Sequence, residues 1–142
     1  MSIRSAKAEW NGTLKEGKGV MSFSNYHGPY TFASRFEEAD GTNPEELVGA
    51  AHAGCYSMFL SALLSNNQLN PESVKTNASV TLGKDDTGPC ITNIKLVCEV
   101  TCDGLSQELF DELSQAAKEK CPISRLYAGS TATIDLEAKL LG

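Results

Sequence analysis

The chain has 142 residues, of which 41% are hydrophobic and 21% are charged. This length predicts a single domain, residues 1–142, which can bury a core without disulfides or a structural metal. Eighteen acidic and twelve basic residues give a net charge of −6. This balance argues against a nucleic-acid partner, because affinity for phosphates depends on clustered Lys and Arg.

Two features predict a cytoplasmic protein. The N-terminal residues lack the apolar run of a secretory signal. The five cysteines show no disulfide-framework spacing and fit a reducing compartment. Residues 47–64 carry no formal charge if His52 is neutral, but glycines and serines interrupt this run and no cationic flank follows it. We therefore expect no membrane span there, but a helix buried on all sides inside a globular domain.

Alternation of apolar and polar residues predicts the strands, since side chains along a strand alternate between its two faces. A first strand around residues 6–10 is followed by a tight hairpin turn at Asn11-Gly12. Further strands are predicted at residues 20–23, 30–36, 74–82, 94–102 and 132–140, with a loop at 83–89. In the strand at 30–36, Arg35 lies on the face opposite the aromatic residues.

Capping residues predict the helices. The first helix begins with Asn43 as N-cap, Pro44 at N1 and Glu46 at N3, and runs to about residue 64. A second helix spans about residues 106–120, and Cys121 with Pro122 opens a short further one. Strands that cluster before and after an apolar helix predict the α+β class.

The cysteines divide by position. Cys98 and Cys102 lie on the apolar face of a strand, where a thiol acts as a small hydrophobe. Cys121, at a helix start, faces unpaired backbone N–H groups that favour a thiolate, although a purely structural helix start is equally compatible with this position. Cys55, inside the apolar helix, would be inert unless a cation stabilised its thiolate. Arg35 is the best candidate for that cation; a solvent-facing arginine is the alternative.

His52 lies three residues before Cys55, on the same helical face. Such a pair is typical of a nucleophile with its base or of a metal site. Because no second His or Cys pair follows at ligand spacing, the sequence argues against a metal.

Residues 43–55, Asn-Pro-Glu-Glu-Leu-Val-Gly-Ala-Ala-His-Ala-Gly-Cys, are followed 66 residues later by Cys121-Pro-Ile-Ser. Together they strongly resemble the OsmC family (osmotically inducible protein C). The likeness includes Gly17-Lys18-Gly19 and Arg35-Phe36-Glu37, so it covers nearly the whole chain. It implies antiparallel sheets wrapped around a long buried central helix, in an intertwined homodimer with two sites at the subunit interface.

The resemblance also implies an activity: a thiol-dependent peroxidase that reduces organic hydroperoxides without a metal or organic cofactor. Cys55 corresponds to the peroxidatic cysteine and Cys121 to the resolving one, while Arg35 and Glu45 complete the site. The related organic hydroperoxide resistance proteins take their arginine from an earlier position, where this chain has only lysines, which favours the OsmC branch. The helix start favours a thiolate at Cys121, whereas the resemblance assigns the first attack to Cys55.

In the implied mechanism Cys55 is oxidised to a sulfenic acid, which Cys121 converts to a disulfide, and an external dithiol of the lipoyl or thioredoxin type reduces it. Ten residues of straight helix would hold Glu45 about 15 Å from Cys55. Either the helix breaks near Gly49, or Glu45 acts by orienting Arg35, in its own subunit or across the dimer interface. Apolar side chains that could accept an alkyl tail are Leu47, Met58, Phe59 and Phe110. Two alternatives remain open: an apolar-ligand binding module with structural cysteines, and a thiol redox sensor.

Overall fold

The computed structural model describes all 142 residues and confirms the α+β class, with two sheets and a central helix. The chain forms two compact units, Met1–Leu47 and Val48–Gly142; the expectation of a single domain stays a prediction. The elements of the first unit are β1 (Lys7–Asn11), β2 (Lys18–Phe23), β3 (Tyr26–Tyr30) and α1 (Phe32–Phe36). Helix α2 (Pro44–Asn66) begins in this unit, and most of it belongs to the second. There it is followed by β4 (Ser73–Asp85), β5 (Gly88–Thr101), α3 (Gln107–Lys120), α4 (Pro122–Tyr127) and β6 (Thr133–Leu140).

The first unit is built on an antiparallel sheet in the order β1-β2-β3. The predicted tight turn at Asn11-Gly12 is a longer loop. Gly12 takes a positive φ of 102°, and the Gly17 N–H closes the loop by donating to the Thr13 carbonyl at 2.8 Å. Strand β2, which pairs with β1, therefore begins at Lys18, after this loop.

The predicted strand at residues 30–36 is wrong. Strand β3 ends at Tyr30, and residues 32–36 form α1. Thr31 and Ser34 build a capping box, in which each side-chain oxygen accepts from the other residue's backbone N–H, at 3.1 and 2.8 Å. Phe32 and Phe36 match a helical period as well as alternation, and their rings pack with centroids 4.9 Å apart. Arg35 therefore lies in the last turn of a helix.

The second unit is built on a sheet in the order β4-β5-β6. Strands β4 and β5 form a long antiparallel hairpin that replaces most of the predicted 83–89 loop. Strand β6 pairs with β5 in parallel, so this sheet is mixed and not antiparallel throughout. The reason is the connection: α3 and α4 separate the two strands, and a crossover of this length can return the chain in the same direction.

Helix α2 is buried along one stripe. Tyr56, Leu60 and Leu64 are fully buried in the core. The opposite stripe is exposed, and Met58 keeps 79% of its accessible surface. Burial on all sides is therefore not observed within one chain. Helix α2 is long and apolar enough to cross a membrane, but the core helix of a soluble protein passes the same test of length and composition. The buried stripe of α2 packs in the hydrophobic core.

Candidate active site

The start of α4 positions the first thiol. Cys121 is the N-cap, as predicted, with Pro122 at N1. Its sulfur accepts a hydrogen bond from the Ser124 backbone N–H at 3.3 Å, which satisfies one of the free donors of the first helical turn. The Cys121 side chain is completely buried.

Cys55 lies beside this helix start. Its thiol lies close enough to the Cys121 thiol and to the Ile123 backbone N–H for both groups to shift its pKa. Burial raises the pKa of Cys55, the Ile123 N–H acts in the opposite direction, and the neighbouring Cys121 raises it further. Both thiols are free. Two cysteines separated by 66 residues in the chain are thus side by side in the second unit.

Arg35 and Glu45 come together in the first unit. Arg35 Nη2 donates to Glu45 Oε1 at 2.6 Å, and Nε donates to both carboxylate oxygens at 3.1 and 3.2 Å. The Glu45 side chain is 12% exposed and that of Arg35 is 34% exposed. Helix α2 continues without a break through Gly49, so the alternative of a broken helix is wrong. The structure instead shows the carboxylate holding the guanidinium.

The Arg35 guanidinium also borders an aromatic cleft of about 350 Å³. Its side-chain walls are Trp10, Leu14, Tyr30, Phe32 and Phe36. The Arg35 Cζ atom lies 5.2 Å from the centre of the Phe36 ring. None of the apolar residues expected to accept an alkyl tail lines this cleft, and one of them, Phe110, is fully buried in the core.

His52 has a different partner from the one the sequence suggested. Its Nε2 atom lies 2.8 Å from Ser124 Oγ, and Ser124 Oγ accepts a hydrogen bond from the Cys121 sulfur at 3.2 Å. The Nδ1 atom is buried and has no hydrogen-bond partner. Burial lowers the pKa of His52. His52 is therefore connected to Cys121 through Ser124.

Comparison with known proteins gives the family. The sequence model of the OsmC-like proteins matches residues 37–137. The chain is 42% identical over 139 residues to Peroxiredoxin OsmC of Escherichia coli strain K12, covering 96% of each protein. The chain belongs to the OsmC family. It is also 33% identical over 104 residues to the organic hydroperoxide resistance protein OhrB of Bacillus subtilis, which covers 72% of this chain and 74% of OhrB.

Solved structures of OsmC-like proteins have the same fold. The OsmC-like protein from Mycoplasma pneumoniae gives a TM-score of 0.79 over 99% of both chains at 15% identity. The OsmC protein from Legionella pneumophila gives 0.70 over 99% of this chain and 98% of its own, at 20% identity. At such identities these similarities establish the fold alone.

In this OsmC chain the predicted site residues form two pairs, one in each compact unit: Arg35 with Glu45, and Cys55 with Cys121. Sequence reasoning missed Ser124, although its place three residues after a cysteine N-cap is a signal for a helix-start contact. No three His, Cys, Asp or Glu side chains come together in a way that could hold a metal ion; the absence of a metal from the reaction stays a prediction.

Proposed function

We propose that this protein is a cysteine-based peroxidase that reduces organic hydroperoxides to alcohols. Relatives that it matches are named peroxiredoxin and organic hydroperoxide resistance protein. The observation that carries the proposal is the proximity of the Cys55 and Cys121 thiols, because the chemistry needs two sulfurs that can come within bonding reach.

The reaction runs in three steps. The Cys55 thiolate attacks the outer oxygen of the hydroperoxide, the O–O bond breaks, and the products are a Cys55 sulfenic acid and an alkoxide that is protonated to the alcohol. Cys121 then displaces the sulfenic oxygen, which forms the Cys55–Cys121 disulfide and water. An external dithiol, of the lipoyl or thioredoxin type, reduces this disulfide by thiol exchange.

The first step needs a cation, since burial disfavours the Cys55 thiolate. We assign this role to Arg35 in the assembled protein, with Glu45 fixing the guanidinium plane through its forked contact. The same cation would stabilise charge on the departing oxygen. The aromatic cleft beside Arg35 would accept the organic part of the hydroperoxide.

The exposed stripe of α2 supports the homodimer. Ala51, Gly54, Met58 and Ala62 form an uncharged stripe of mostly small residues. A Cβ atom added at Gly54 would meet nothing within 4 Å in the single chain. We assign a second copy of the chain as its cover, in a cytoplasmic homodimer. Light scattering should give twice the chain mass for the native protein. Met58→Glu should shift it toward monomer, while the control Glu119→Gln, on the exposed face of α3, should not.

The decisive experiment for the activity is non-reducing mass spectrometry after one equivalent of cumene hydroperoxide. We expect a loss of about 2 Da and a linked Cys55–Cys121 peptide. Cys90→Ser should behave like the native protein, whereas Cys55→Ser should consume no peroxide. Saturable binding of cumyl alcohol without oxidation of either cysteine would instead indicate a binding module. One oxidation without turnover in dithiothreitol would indicate a redox sensor.

A further inference from the structure

A buried polar chain in the second unit has no role in the steps above. It runs from His52 on α2 to Ser124 on α4 and ends at Cys121. These residues are 0%, 3% and 0% exposed, respectively. The two links are 2.8 Å from His52 Nε2 to Ser124 Oγ and 3.2 Å from Ser124 Oγ to Cys121 Sγ.

The chain can be ordered from the thiol to the imidazole. With the Cys121 S–H donating to Ser124 Oγ, the Ser124 hydroxyl is free to donate to His52 Nε2. In this tautomer the ring proton of His52 is on Nδ1, the atom without a partner. An unpaired buried polar group of this kind is rare in folded proteins and calls for an explanation. The only hydrogen bond of the His52 ring is made at Nε2, and this bond leads through Ser124 to the Cys121 thiol.

We propose that His52 is a positioning residue which, through Ser124, takes the proton of Cys121 while this thiol attacks the Cys55 sulfenic acid. This inference rests on the proposed peroxidase function. The Cys121 proton passes to Ser124 Oγ as the Ser124 proton passes to His52 Nε2. The Cys121 sulfur then bonds to the Cys55 sulfur, and the S–O bond breaks. The departing hydroxide takes a proton from solvent and leaves as water, and His52 afterwards releases the proton that it accepted, so the protons balance and no further oxidant or reductant is needed.

The surroundings of His52 suit this role. Cys121 is linked to His52 through Ser124, and Cys55 and Tyr56 follow His52 along α2. The Tyr127 ring meets the imidazole edge-on, with centroids 6.0 Å apart. Burial lowers the pKa of His52 from 6.5, so the ring is neutral at pH 7 and free to accept a proton.

The test separates the two oxidation steps in single-turnover experiments, all in a Cys90→Ser background. Reduced protein is mixed with one equivalent of cumene hydroperoxide and quenched in acid, and the sulfenic acid and the disulfide are measured by mass. His52→Gln keeps a group that reaches toward Ser124 but cannot take up a proton. We expect peroxide consumption to stay within about twofold and disulfide formation to slow at least about tenfold, so that sulfenic acid accumulates.

Two further readouts distinguish proton transfer from a merely structural role. Disulfide formation in the native protein should slow as the pH falls through the pKa of His52, which burial places below 6.5, and His52→Gln should lack this dependence. Ser124→Thr, which keeps the hydroxyl, should restore most of the rate that Ser124→Ala loses. Disulfide formation at the native rate and with the native pH profile in His52→Gln would overturn the inference.

A second assay makes no use of peroxide. An aromatic disulfide reagent (Ellman's) first forms a mixed disulfide at Cys55, and Cys121 then displaces the second thionitrobenzoate, a step that also requires loss of the Cys121 proton. Slower second release in His52→Gln would support the proton path even if no variant consumed peroxide, and only the proposed function would then fail. Unchanged second release would overturn the path alone.

Discussion

Substitutions in the Arg35–Glu45 pair should lower the peroxidase rate strongly while they change the free energy of unfolding only slightly. Arg35→Lys replaces a forked, three-contact interaction with a single point charge, and Glu45→Gln removes the negative charge. Because Arg35 is 34% exposed, solvent screens the pair, and its contribution to the free energy of unfolding is at most about 1 kcal/mol. If the guanidinium stabilises the thiolate and the departing oxygen, its loss costs about 10²–10³ in rate.

Urea denaturation followed by circular dichroism gives the stability term, and a double-mutant cycle gives the coupling between the two residues. Peroxidase activity is the rate of cumene hydroperoxide consumption with excess dithiothreitol. The Lys95–Glu137 ion pair is a matched control, since it is 3.6 Å long and 52% and 68% exposed. Lys95→Met and Glu137→Gln should change neither quantity measurably.

We expect Arg35→Lys to lose activity at least about a hundredfold while it unfolds within about 1 kcal/mol of the native protein. Glu45→Gln should follow in the same direction with a smaller loss, because it acts through Arg35. Activity losses in both variants no larger than those of the control pair would refute the assignment of Arg35 as the cation of the site.

Three further substitutions test the core and the charges around the thiols. Leu60→Ala, at a fully buried position of α2, should reduce the free energy of unfolding by about 2–5 kcal/mol in urea, and the control Ala62→Ser by less than about 0.5 kcal/mol. Burial raises the pKa of Cys98 above its ordinary value of 9.0. The buried, protonated thiol therefore contributes its full stability below that pH, and this stability is lost as the pH rises through the raised pKa. Thermal unfolding between about pH 8 and 10.5 should show a smaller alkaline loss of stability in Cys98→Val than in the native protein. Arg35→Met should move the pH midpoint of Cys55 alkylation by iodoacetamide upward, and an unchanged midpoint would contradict a cation beside that thiol.

Local capping chemistry in the sequence predicted the starts of α2 and α4 well. The Glu46 N–H donates to Asn43 Oδ1 at 2.8 Å, and Cys121 caps α4. These contacts involve residues three apart, so the sequence pattern contains both partners. The Glu46 side chain, however, accepts from Thr42 Oγ1 at 3.0 Å, a contact outside the expected capping box.

Sequence periodicity alone could not assign a segment that fits both the alternation of a strand and the repeat of a helix. Residues 30–36 fit both alternation and a helical repeat, and the capping pair Thr31 and Ser34 decides for the helix. The parallel pairing of β6 depends on the path of the chain through α3 and α4, which no pattern within the strand contains. The same holds for the site: the proximity of Cys55 and Cys121 follows from tertiary packing, and only the family resemblance suggested it.

Solvent exposure distinguishes the Cys55 and Cys121 thiols more clearly than acidity does. The helix start favours a thiolate at Cys121, but that side chain is completely buried, whereas Cys55 is only half-buried. Cys55 is therefore the more accessible of the two sulfurs, and in the proposed mechanism Cys121 reacts with it only after peroxide has oxidised it. A buried second thiol is also protected from direct oxidation by peroxide, which keeps it available for the disulfide. The burial of the two sulfurs thus favours the order of reaction that the family resemblance assigns.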